Sequence, residues 1–215
     1  MSQTSNIRIL LADDHTMFRE GVKQVLAATP GYSVVGEASD SREVLEKIRR
    51  LAVDVVVLDI SMPGRDGIDV LKQLKRIKPQ LHVLVLSMYP EDQYASRAIK
   101  AGAAGYLTKN KASAELIEAI RRIATGRKYI SEDVAEQLAT DITKNGDAPL
   151  HQRLSDREYQ VMCMIGSGKT VKQISGELSI SVSSVSTLRA RILKKLDMKT
   201  SAEITHYAIK HNLVL

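Results

Sequence analysis

Asp13, Asp14, Asp59, Ser87 and Lys109 are the residues of this chain whose types and spacing carry chemistry. Each ends or follows a short apolar, largely β-branched run: Ile7 to Ala12, Asp54 to Asp59 (DVVVLD), Leu81 to Leu86 and Gly105 to Thr108. If these runs are parallel strands of one sheet, all five side chains converge on its carboxyl edge. Three carboxylates gathered there repel one another unless a cation is present, and hard oxygen ligands at an open, wet site suit Mg2+. A carboxylate at the centre can itself attack phosphorus, the metal neutralising the phosphoryl oxygens and a lysine ammonium acting as a point charge. Asp59 is then the candidate acceptor and Lys109 its counter-charge. Ser87 would donate its hydroxyl to a phosphoryl oxygen and draw its loop inward, with Tyr106 swinging into the space vacated. Taken singly, an Asp at a strand end usually caps a helix, and a half-buried tyrosine usually just packs. The joint pattern of five residues is what favours chemistry.

A second constellation lies near the other end of the chain. Residues 181 to 199 hold Arg189, Arg191, Lys194, Lys195 and Lys199 against Asp197, an excess of four positive charges in nineteen residues. At 100° per residue, Val185, Leu188, Ile192 and Leu196 fall on one side of a helix. Ser183, Thr187, Ala190 and Lys194 then lie opposite, with Ser184, Ser186 and Arg191 on the flanks. Val171 to Leu178, the turn at Ser179 to Ser181 and this longer helix have helix-turn-helix spacing, so the polar face is expected to enter a DNA groove. That face is small, which predicts few bidentate base contacts and a heavier share for phosphate contacts and DNA shape. Arg189 points partly inward and suits an internal ion pair as well as it suits DNA. Lys169 and Lys172 either clamp a phosphate or belong to a solvated face.

The elements that must hold these groups can be read from periodicity. In the first 125 residues, apolar runs (with Tyr32 to Glu37 as a further strand) alternate with amphipathic stripes such as Phe18, Val22, Val25, Leu26 and Leu116, Ile120, Ile123. Five βα units imply an α/β fold, a doubly wound parallel sheet with right-handed crossovers and ligands bound beyond the carboxyl ends of the strands. Asp133 to Thr140 reads as a possible further helix and Asp141 to Arg153 as a linker. Beyond Leu154 four short helices fit a small all-α unit, with Ser155/Glu158 and Thr200/Glu203 at capping-box spacing and Ser181 as a third cap. The expected division is therefore residues 1–128, a helix and linker over 129–153, and a helical unit over 154–215.

Composition excludes several classes. With 44% hydrophobic and 26% charged residues among 215, the chain is neither disordered nor fibrous. No apolar run is long enough for a membrane span, and the start MSQTSNIR lacks a secretory pattern, so a cytoplasmic location is expected. The single cysteine, Cys163, agrees with a reducing compartment. The five histidines lack ligand spacing and read as surface or cap residues. The stretch GSGKT (166–170) mimics a phosphate-binding loop but has Cys163 where that motif needs glycine, and it follows a helix pattern instead of a strand. Residues 1 to 130 hold 20 Lys and Arg against 15 Asp and Glu, whereas residues 131 to 215 hold 11 against 10. Overall basicity is thus a poor argument for nucleic acid; the clustering on one helix is the better one.

The stretches LLADDH, VVVLDISMPGRDG, LSMYPEDQY and AGAAGYLTKN resemble the receiver domain of two-component response regulators over about 120 residues. From Leu154 the chain resembles the LuxR-type helix-turn-helix domain, so the whole looks like a NarL/FixJ-type regulator. The resemblance implies phosphoryl transfer from a sensor histidine kinase to Asp59. It also implies Mg2+ held by Asp14, Asp59 and the backbone carbonyl of Ser61, with Asp13 nearby or acting through water, and Pro63 and Gly64 forming the turn after the acceptor. Lys109 is followed by Asn110 where many receivers have proline in a cis bond. The expected function is a phosphorylation-controlled transcription regulator that binds double-stranded operator DNA as a homodimer, the last helix (Ser201 to His211) contributing to pairing. One rival keeps DNA binding but makes the first domain a phosphorylation-independent docking unit. Another has Asp59 turning over phosphate as a hydrolase; no dedicated general base is evident, so only slow self-dephosphorylation is expected.

Overall fold

The computed structural model describes residues 6–62, 66–143, 149–211, 213 and 214. Contacts divide the chain into two compact units, residues 1–136 and 137–215.

The first unit carries five strands, β1 (Ile7–Ala12), β2 (Tyr32–Ala38), β3 (Val55–Asp59), β4 (His82–Ser87) and β5 (Gly105–Thr108), in the order β2-β1-β3-β4-β5, all parallel. Between them run α1 (Thr16–Ala27), α2 (Ser41–Arg50), α3 (Gly67–Ile77) and α4 (Glu91–Lys100), with α5 (Ala112–Ala124) after the last strand. All five residues of β3 are buried because helices cover both faces of the central strands. Val55 and Val57 pack with Leu116, Ile120 and Ile123 of α5 in one apolar cluster, and the alternate residues Val56 and Leu58 are buried on the opposite face. The βα alternation is as expected from the sequence, with small shifts. β4 runs one residue later and so includes Ser87, and α4 begins at Glu91, well ahead of its weak apolar stripe. One addition has no sequence signal: Tyr129 pairs beside β5, its carbonyl accepting from Tyr106 N and its amide donating to Ala104 O.

The linker reading needs correction at both ends. α6 (Glu132–Thr143) continues through Asp141 to Thr143, and Leu150–Arg153 forms a 3-10 turn; only 144–148, between them, lie outside the described residues. Leu154 shows why the turn forms: it is buried and receives its backbone bond from the turn, its N–H donating to His151 O.

The second unit has α7 (Asp156–Gly166), α8 (Val171–Glu177), α9 (Val182–Leu196) and α10 (Ser201–Lys210). α7 is buried from Glu158 to Gly166 and serves as the core helix. Gly166 permits this, since a Cβ there would meet Ala208 Cβ of α10 at 2.7 Å. The Ser155 capping box forms as expected. Thr200 caps α10 by accepting from Glu203 N, and the Glu203 carboxylate accepts from Lys199 N and the Thr200 hydroxyl. GSGKT turns out to be a helix boundary: Gly168 takes φ +80 after α7, and Thr170 with Gln173 makes a second complete capping box at the start of α8.

Candidate functional site

Sheet register brings the strand-end residues together. Ala12 pairs with Leu58, so Asp13 comes level with Asp59; Asp59 pairs with Leu86, one residue before Ser87; and Ser87 pairs with Thr108, one before Lys109. β1 and β3 are the neighbours from which the chain departs in opposite directions, which opens a crevice beyond their carboxyl ends. Gly67 tightens the wall behind the acceptor: a Cβ there would sit 2.3 Å from Ile60 Cα, so only glycine lets the start of α3 close on the residue following Asp59.

The Asp59 carboxylate, 1% exposed, accepts from Ser61 N at 2.7 Å on Oδ1 and from Lys109 Nζ at 2.6 Å on Oδ2. Lys109 also reaches Asp13 Oδ2 at 2.7 Å and lies over the Phe18 ring. One oxygen from each of Asp13, Asp14 and Asp59, with His15 Nδ1, all fall within 4.8 Å of one another. Three carboxylates against one ammonium leave two uncompensated negative charges, the charge of one divalent cation. Asp14 Oδ1 is buried and accepts no hydrogen bond; His15 Nδ1 stands 3.0 Å from it without hydrogen-bond geometry. An orphaned carboxylate oxygen facing two further carboxylates fits a hard cation such as Mg2+.

The electrostatics follow from burial. Burial pushes the Asp59 carboxyl above its ordinary value; Lys109 opposes this, and Asp13 adds to it. Burial alone would lower the Lys109 ammonium, but the Asp59 charge and the bonds to both carboxylates outweigh it and raise the group. Lys109 is therefore a fixed cation. The Lys109–Asn110 peptide is trans, there being no cis bond among the described residues.

Ser87 is fully buried and its Oγ accepts from Tyr89 N at 3.1 Å. Tyr106, 2% exposed, already points inward and donates its hydroxyl to Tyr89 O at 2.8 Å. Burial pushes that phenol far above its ordinary value. Ser61 is the second residue after β3 and is half-buried; Pro63 and Gly64 lie outside the described residues.

His15 was missed by the sequence reading. It does occupy the N-cap position of α1 and is exposed, but its ring faces Asp13, Asp14 and Asp59. The DDH adjacency is the available signal, which spacing between histidines alone does not capture. His151 also departs from the surface-or-cap reading: its Nδ1 lies 3.1 Å from the Tyr207 hydroxyl, in a ring cluster with Tyr159 and His211.

On α9, Val185, Ile192 and Leu196 are buried and Leu188 half-buried, while Ser183, Ser184, Ser186, Thr187, Ala190, Arg191 and Lys194 are all exposed. Ser186 and Thr187 donate their hydroxyls to Val182 O and Ser183 O, which leaves their outward lone pairs as acceptors. The other basic residues are more committed than their count suggested. Arg189 donates to Ser201 Oγ at 2.6 Å, a hydroxyl and not the carboxylate of an ion pair. Lys195 pairs with the buried Glu158 at 2.6 Å, and Lys169 pairs with Glu177; Lys172 is exposed.

Known proteins resemble both units of the chain. Residues 9–121 match the response regulator receiver domain, and residues 152–208 match the bacterial regulatory proteins of the luxR family. Response regulator UvrY of Escherichia coli K12 is 38% identical over 208 residues, covering 96% of this chain and 95% of its own. Response regulator GacA of Pseudomonas viridiflava is 38% identical over 210 residues, covering 97% and 98%. Among solved structures, RcsB of Salmonella enterica serovar Typhimurium bound to promoter rprA in the presence of phosphomimetic BeF3- superposes with a TM-score of 0.64 at 26% identity, covering 94% of this chain and 98% of that one. No helix among the described residues is long and apolar enough to cross a membrane.

Proposed function

The chain belongs to the NarL/FixJ-type two-component response regulators, and from that premise we propose that it is switched by a phosphoryl group on Asp59 and binds operator DNA as a dimer. The donor is the phosphohistidine of a sensor kinase, the place of action is the cytoplasm, and the working division is a receiver over 1–128, a helix and linker over 129–153 and a DNA-binding domain over 154–215. The observation that carries the reading is the crevice charge: three carboxylates and one ammonium, with Asp59 at the centre.

Asp14, Asp59 and the backbone carbonyl of Ser61 are the residues proposed to hold Mg2+, with Asp13 nearby or acting through water. When bound, the ion neutralises charge on the phosphoryl oxygens. An Asp59 oxygen attacks phosphorus in line, the P–N bond to the donor imidazole breaks with its electron pair leaving on nitrogen, and a mixed anhydride remains on Asp59. Ser61 N fixes one Asp59 oxygen, and Lys109 moves its hydrogen bond from the carboxylate to a phosphoryl oxygen. Ser87 turns its hydroxyl from the Tyr89 amide to the same group. Because Tyr106 is already inward, the phosphoryl group's work is to hold the β4–α4 loop in this arrangement rather than to create it, a shift of population between two states.

At the DNA end, Ser183, Ser184, Ser186, Thr187 and Ala190 face the groove, and Arg191, Lys194, Lys172 and, on release from Glu177, Lys169 contact phosphates. RcsB in complex with promoter DNA supports this by likeness of architecture. Pairing of two protomers aligns two half-sites about one helical turn apart.

Selection of bound duplexes from a random pool, with and without Mg2+ and acetyl phosphate, tests operator and switch together. Enrichment of a symmetric site that strengthens with the phosphodonor is expected. A site bound equally well without it would favour the phosphorylation-independent rival.

A further inference from the structure

The receiver unit carries a basic groove on the side of the sheet away from α5, between α2 and α3. It is an open cleft of about 870 Å3 whose wall includes Arg42, Arg49 and Arg50 from α2 and Arg76 from α3. One carboxylate lies among the four guanidiniums: Glu46, which pairs with Arg50 at 3.0 Å. Arg42, Arg49 and Arg76 are exposed and enter no ion pair among the described residues. Leu45 and Ile77 supply an apolar floor, along which arginine stems can lie while their forks stay in water.

Three exposed guanidiniums sharing one concavity leave a net positive potential there that favours a polyanion. Their planar forks match phosphate oxygens bidentately, which a lysine's point charge does not. Seven residues separate Arg42 from Arg49, about 10 Å along the helix. That span covers about three phosphates of one DNA strand at 3.4 Å of axial rise each.

We propose that this groove is a second nucleic-acid contact, holding the phosphodiester backbone of duplex DNA without reading sequence. The inference rests on the DNA-binding reading of this chain but not on the roles assigned to α9. DNA is favoured over an acidic protein segment because the chain already engages it. A tethered second contact acts at high effective concentration, so even a weak groove adds to affinity. It also gives a use to Arg42, Arg49 and Arg76, which the phosphorylation crevice does not draw on.

The test uses the full chain and a fluorescent duplex of arbitrary sequence, with the dissociation constant followed against salt. The triple variant R42Q/R49Q/R76Q is expected to lower the slope of log affinity against log salt by about 2 to 3, from about 0.9 per phosphate contact. The matching triple lysine variant, which keeps the charge, is expected to retain the wild-type slope, and circular dichroism melting checks that both fold. R191Q/K194Q is measured in parallel and reports on α9. A wild-type slope in the glutamine triple, alongside a reduced slope in R191Q/K194Q, overturns the groove and leaves α9 standing; it is also the result if the groove takes an acidic protein. A wild-type slope in both variants overturns the groove and the α9 reading together.

Discussion

The strand-end crevice and the exposed face of α9 are both built from charge, yet in opposite ways. In the crevice the central ionic groups are constrained: Lys109, 8% exposed, serves two carboxylates at once, and Asp59 has a partner on each oxygen. On α9, Arg191 and Lys194 stand in water, and Ser183, Ser184, Ser186, Thr187 and Ala190, exposed on the same side, are small. Buried charges are costly when unpaired, so a change of two units at the crevice can reorganise its surroundings. Exposed charges are cheap to keep and add affinity nearly independently of sequence. One construction suits a switch, the other a grip.

Removing Lys109 should have the largest effect. Lys109→Met leaves Asp13 and Asp59 buried without their counter-charge, and a loss of about 3 to 5 kcal/mol is expected in urea unfolding with chelator present. Mg2+ should restore much of it by binding the native state alone. A loss below about 1 kcal/mol would show that the crevice is as tolerant as the surface, since that is the usual worth of an exposed pair.

Glu158 is the helical unit's own buried charge. Burial pushes its carboxyl up, but the Lys195 ammonium and the Ser155 amide and hydroxyl outweigh this and hold it below its ordinary value of 4.5. A carboxyl lowered on folding stabilises the native state above the unfolded value, and that contribution disappears as pH falls through the folded value. Unfolding followed by circular dichroism should therefore show a loss below about pH 4.5 that Glu158→Gln flattens, the variant being weaker at pH 7 by about 1 to 3 kcal/mol.

On the α9 face, Lys194→Gln should weaken DNA binding evenly across sequences and reduce the salt slope by about 1, without altering thermal stability. A change in sequence preference would place Lys194 on a base edge instead. The smallest effect is expected at Ser179, which takes φ 50 in the turn between α8 and α9. Ser179→Gly should relieve left-handed strain and raise the unit's stability by about 0.5 kcal/mol, net of the glycine's unfolded entropy.

How legible these regions were follows from the range of the interactions involved. The sheet and its carboxyl edge could be read because strand period, βα alternation and crossover handedness together force Asp13, Asp59, Ser87 and Lys109 to one rim. The buried stripe of α9 was legible from a single periodicity. Pairings across long separations were not. Lys195 meets Glu158 from 37 residues away, and nothing local separates it from the exposed Lys194. Helix rotation turns Arg189 partly inward but does not name its partner, Ser201, which lies beyond the helix end. The Thr170 cap was hidden by a motif resemblance, and Tyr129 beside β5 is held by backbone bonds and a hydroxyl bond to Glu115 that no local period announces.

The central claim is that Asp59, in a metal-dependent acidic crevice, is the group that receives phosphorus. Intact-protein mass spectrometry after incubation with acetyl phosphate tests it directly, on wild type with Mg2+, wild type with chelator, and Asp59→Asn with Mg2+. One added phosphoryl group is predicted in the first sample and none in the other two. An equal phosphoryl gain in the Asp59→Asn protein would contradict the account.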